Sequence, residues 1–127
     1  MMIDSNWHSL TEISTDEADE ISAIAEVHPD SPWFSGHFPG NPILPGIAQL
    51  GMVSDLLKKT TVHQLKIDSV KQVRFKQIIL PDARIKIKIR PVKNKAHHYS
   101  FRMIVKDTVA CRGVIVTHKI NHEIEGG

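Results

Sequence analysis

A single cysteine, Cys111, in 127 residues excludes an intramolecular disulfide and any cysteine-rich zinc site. Apolar runs are only a few residues long, far short of the roughly 20 residues that cross a bilayer. The N-terminal Met-Met-Ile-Asp-Ser-Asn-Trp-His lacks a basic stretch followed by an apolar one, so nothing reads as a signal peptide. Lysine and arginine are missing from residues 1–57, which hold nine of the fourteen acids. No aromatic residue interleaves with the cations of the stretch Arg84–Arg90, so the stacking platforms of a single-strand nucleic-acid binder are missing there. What remains, 41% apolar and 24% charged, is an ordinary globular composition. The expectation is one domain over residues 1–127, cytoplasmic, with no membrane span and no nucleic-acid partner.

All sixteen basic residues lie between Lys58 and Lys119. In Arg84-Ile85-Lys86-Ile87-Lys88-Ile89-Arg90 charge and isoleucine alternate strictly, the period of a half-buried strand. The cations then share one face, which is either a solvated surface or a meeting place for an acidic partner.

The same periodicity predicts strands over Trp7–Ser14 and Glu20–His28, then over Val70–Gln77, Ala83–Val92, Tyr99–Lys106 and Val109–Ile120. The last four are expected to form an antiparallel meander. Asp16-Glu17-Ala18-Asp19 reads as a turn. Between Pro29 and Gly46, eight of eighteen residues are Pro or Gly, so this stretch is a long loop, of the kind that is more often functional than idle. From Ile47 to Lys59 the apolar positions cover most of a helix circumference, so a mostly buried helix is expected. The fold class is α+β, an antiparallel sheet wrapped around one central helix. Such a sheet leaves an edge open, which is a physical reason to expect a homodimer or higher homo-oligomer.

Chemistry concentrates in Gly36-His37-Phe38-Pro39-Gly40-Asn41-Pro42-Ile43-Leu44-Pro45-Gly46. His37 can accept a proton near neutral pH, between residues that fix the chain and let a ligand approach. Pro45-Gly46 opens the helix, whose first amides suit a carbonyl oxygen gaining charge. A base beside an oxyanion site can remove a proton α to a thioester. Alternatively, His37 merely caps a turn in a stiffened loop. His97, His98, His118 and His122 do not have metal-ligand spacing; no metal and no cofactor are expected.

These eleven residues and the helix after them resemble the signature of the β-hydroxyacyl-[acyl-carrier-protein] dehydratases, G-H-F-P-G-x-P-φ-φ-P-G with φ hydrophobic, matched at every fixed position. The likeness extends in outline over Glu20–Ile120. It implies the hotdog fold, an acyl thioester substrate on an acyl carrier protein, and loss of water to give a 2-enoyl thioester. It also implies that His37 acts on substrate protons, that the Gly46 amide polarises the thioester carbonyl, and that a helix acid assists at the β-hydroxyl five residues later. That position is Gly51, a departure from the pattern. Asp55, one turn on and on the same face, is the candidate replacement acid, the alternatives being that it is a solvated or partner-facing carboxylate and that His37 makes both proton transfers in sequence. Phe38, Gln49 and Gly51 are candidate substrate-binding positions. Two other readings stay open. The chain could be a non-catalytic acyl-binding subunit whose partner supplies the acid, or a thioesterase. A glycine within a helix also suggests close approach by an acyl chain or a neighbouring strand.

Overall fold

The computed structural model describes residues 3–4, 7–31, 43–60 and 65–119. The elements are β1 (Ile3–Asp4), β2 (His8–Thr15), β3 (Ile21–Val27), α1 (Gly46–Thr60), β4 (Leu65–Phe75), β5 (Ile85–Pro91), β6 (His98–Val105) and β7 (Thr108–Lys119). All seven strands join one sheet in the order β1-β2-β3-β5-β6-β7-β4, every pair antiparallel. No helix among the described residues is long and apolar enough to cross a membrane.

Alternation decides the faces. Ile21, Ala23, Ala25 and Val27 of β3, Ile85, Ile87 and Ile89 of β5, and Phe101 and Met103 of β6 are buried. They meet Ala48, Met52, Val53, Leu56 and Leu57 of α1 in one core, each large side chain contributing about 1.5–3 kcal/mol by leaving water. The charged residues between them face outward, as the strict alternation requires. Cys111 is a fully buried core residue, and desolvation pushes its thiol up to about 11. This sheet around a single helix is the expected hotdog arrangement.

Two expectations are corrected. The meander holds for β5, β6 and β7, but β4 does not pair with β5. It crosses to the far edge and pairs with β7, while β5 pairs with β3. The crossing lets the sheet curl far enough to contact α1 from β3, β4 and β5. The helix is also less enclosed than its composition suggests: Ile47 is 72% exposed, and Leu50, Gly51, Ser54 and Asp55 are only half-buried. They form its uncovered stripe. The Asp16–Asp19 turn is as expected, with Asp16 Oδ1 accepting from the amides of Ala18 and Glu20 at 2.9 and 3.0 Å.

On the outer face one carboxylate is sunk among cations. Glu20 is 8% exposed and accepts from Arg90 Nε at 2.8 Å, Arg90 Nη2 at 2.6 Å and Lys88 Nζ at 3.4 Å. Burial alone would raise its carboxyl, but these hydrogen bonds and charges hold it below the ordinary carboxylate value.

Candidate functional site

The start of α1 is fixed from both sides. The Leu44 amide donates to the Ile79 carbonyl at 2.8 Å, tying the loop exit to the β4–β5 crossing. The Pro45 carbonyl accepts from the amides of Ala48 and Gln49, both at 3.1 Å, so the helix is under way one residue after the proline. The Gly46 and Ile47 amides have no partner among the described residues, as the first turn of a helix dictates. With the positive end of the helix dipole behind them, they suit an oxygen acquiring negative charge.

Phe75, at the end of β4, closes this spot. A Cβ added to Gly46 would stand 2.6 Å from Phe75 Cζ, so the ring lies against bare backbone. A side chain at residue 46 would require the ring to shift. Phe75 and Ile47 remain 52% and 72% exposed, giving the donor pair an apolar rim.

Farther along α1, Gly51 and Asp55 face the beginning of β2. A Cβ at Gly51 would meet Trp7 Cζ2 at 3.8 Å, an ordinary contact, so among the described residues nothing approaches closely enough to require glycine. The Trp7 ring sits on His8, centroids 4.0 Å apart. His8 is fully buried, and its Nε2 stands 3.6 Å from Asp55 Oδ2, on a carboxylate side chain 41% exposed. The helix rise separates Asp55 from Gly46 by about 13 Å along the axis, against about 7.5 Å for position 51.

Gln49 is 3% exposed. Its Nε2 donates to the Leu44 carbonyl at 3.1 Å, holding the loop exit to the helix. Its Oε1 is buried and has no hydrogen-bond partner among the described residues. His37 and Phe38 lie outside the described residues. The structure therefore brings together Gly46 with Phe75, and Gly51 with Asp55, Trp7 and His8. Sequence reasoning missed Phe75, Trp7 and His8. The signal for His8 was available: it shares the inward period of β2 with Leu10, and a polar residue in an inward register needs a partner.

Comparisons with known proteins bear on this arrangement. Residues 13–114 match the ApeI-like family, described as ApeI dehydratase. The 3-hydroxyacyl-[acyl-carrier-protein] dehydratase FabZ of Haemophilus influenzae (strain Rd) is 29% identical over 112 residues, covering 79% of this chain and 74% of that one. FabZ of Caldicellulosiruptor saccharolyticus is 28% identical over 113 residues, 82% of this chain and 81% of its own. Among solved structures, a chain of the dehydratase heterocomplex ApeI:P from Xenorhabdus doucetiae superposes with a TM-score of 0.77 at 26% identity, covering 87% of this chain and 96% of that one. With the family match running from β2 into β7 around the site at the start of α1, this chain belongs to the ApeI-like dehydratase family.

Proposed function

We propose that this chain eliminates water from 3-hydroxyacyl thioesters carried on an acyl carrier protein, giving 2-enoyl thioesters. The observation that carries the reading is the pair of amides at Gly46 and Ile47, without a partner among the described residues, under an apolar rim, in a chain of a dehydratase family. The thioester carbonyl accepts from the Gly46 amide, which stabilises the enolate as His37 takes the proton from C2. The C3–O bond then breaks, the C2–C3 double bond forms, and the hydroxyl leaves with a proton as water. Asp55 supplies that proton. It lies about 6 Å farther along the helix than position 51, and two hydrogen bonds through one water cover roughly 5.5 Å, so a water over Gly51 links Asp55 to the hydroxyl. In this role Asp55 acts from its protonated form, with His8 Nε2 3.6 Å from its Oδ2.

A second reading is favoured by one finding, that the solved relative from Xenorhabdus doucetiae is a heterocomplex. In that reading this chain supplies His37 and Gly46, and another subunit supplies the acid missing at position 51. The outer edge of β4, paired with β7 on one side only among the described strands, is the place where a second copy or a partner would join.

The test is 2-enoyl formation by purified protein from a 3-hydroxyacyl-carrier conjugate, beside His37→Ala and Asp55→Asn. Turnover by the wild type, with each variant lower by about 10²–10⁴-fold, is the expected result. An unaffected Asp55→Asn variant would remove Asp55 from the reaction. An inert wild type that becomes active with a second subunit would establish the two-chain reading.

A further inference from the structure

The sheet face turned away from α1 carries a feature that register alone reveals. Lys88 stands opposite Arg102, Arg102 opposite Arg112, and Arg112 opposite Arg74, so four cations form one row across β5, β6, β7 and β4. Like charges directly opposite one another destabilise a sheet. Glu20 answers one end of the row, 3.4 Å from Lys88 and 3.8 Å from Arg102. Among the described residues no carboxylate pairs with Arg112 or Arg74, both of which are exposed. They flank a shallow depression of about 440 Å³ that also reaches Arg102, Gln72 and Ser100.

We infer that this row is a docking surface for an acidic helix of the acyl carrier protein, an inference that rests on the proposed dehydration of carrier-bound substrates. Neighbouring strands lie about 4.8 Å apart, and carboxylates three or four residues apart on a helix face lie about 5–6 Å apart. An acidic helix laid across the strands therefore keeps pace with the row. Around it the face presents Gln72, Ser100 and Val114, and the one aromatic residue of the lining, Phe101, is 1% exposed, which disfavours nucleic acid, since an exposed stacking surface is missing. The row also ends where the substrate must enter. Arg74 immediately precedes Phe75, whose ring lies against Gly46; the two point to opposite faces of the edge strand β4, so a carrier held at this end reaches the candidate site around that edge. Guanidinium groups on a solvated face chiefly speed encounter and orient the partner.

The experiment uses the double variant Arg74→Glu/Arg112→Glu and the neutral Arg74→Gln/Arg112→Gln. Turnover is measured with the 3-hydroxyacyl-carrier conjugate and with the N-acetylcysteamine thioester of the same acid, which has no carrier. The charge reversal should raise KM for the carrier substrate roughly tenfold, the neutral variant less, with kcat and turnover of the small thioester unchanged. An unchanged KM for the carrier substrate would overturn the docking surface while leaving dehydration intact. Should the wild type turn over neither thioester, the proposed reaction fails. Fluorescence anisotropy of labelled apo-carrier then decides docking: binding lost in the variant and weakened by about 0.5 M salt supports it, and equal binding overturns it. Retention of labelled DNA through the same arginines, with carrier binding unaffected, also overturns it.

Discussion

Glu20 shows how much one side chain can depend on distant sequence. Lys88, Arg90 and Arg102 reach it from β5 and β6, and removing the carboxylate would leave three neighbouring cations on a packed sheet. Glu20→Gln should cost about 1–2 kcal/mol at neutral pH, by loss of charged hydrogen bonds. Because the folded protein holds this carboxyl below its ordinary value of 4.5, the stabilisation is complete above that pH and is lost as pH falls through the folded value. Urea denaturation of both proteins at pH 7 and again in acid should show the difference shrink, and a pH-independent difference would argue against a charge origin. None of this was legible in the sequence, where Glu20 reads only as the start of a strand. What was legible locally was the hinge of the site: Pro45-Gly46 marks a helix start by its own chemistry. Phe75, whose ring lies where a side chain at residue 46 would stand, comes from the end of another element.

Among the elements, α1 was read almost to the residue, since its apolar spacing, its opening Pro-Gly and its closing Lys58-Lys59 are all local signals. The strands with strict alternation were equally legible. β4 was not. It begins at Leu65, earlier than expected, because register shifts at Ile67/Ser69 and Lys71/Arg74 break the period by which a strand is recognised. Gln72, inside the second shift, has a φ of 56°, as bulged residues often do. The helix also carries a directly testable feature. At Gly51 the added Cβ of alanine has room against Trp7, and alanine within a helix is favoured over glycine by about 1 kcal/mol. Gly51→Ala should therefore raise the stability measured by urea denaturation by up to about that amount. If glycine also keeps open the water position beside Asp55, the same variant should lose dehydratase turnover while gaining stability. A stabilised variant with full turnover would separate Gly51 from the chemistry.

At the scale of the whole molecule, fold class and helix count followed from composition and periodicity, whereas strand order did not. Nothing in the β4 sequence says that it will pass over β5 to join β7, since that choice is settled by how the sheet closes on α1. The topology in turn dictates an order of assembly. β6 and β7 are joined by Lys106-Asp107, both with positive φ, the two-residue hairpin geometry that matches strand twist. The β5–β6–β7 unit therefore closes short loops. Ile21 must find Ile89 and Leu65 must find Lys119 over long stretches of chain, at a greater entropic cost. In stopped-flow refolding, Met103→Ala in β6 should mainly slow folding, and Leu65→Ala in β4 should mainly speed unfolding. The strand that covers the helix start is thus expected to join only after the β5–β6–β7 unit has formed, so that the site at Gly46 is completed by a long-range pairing and not by a local one.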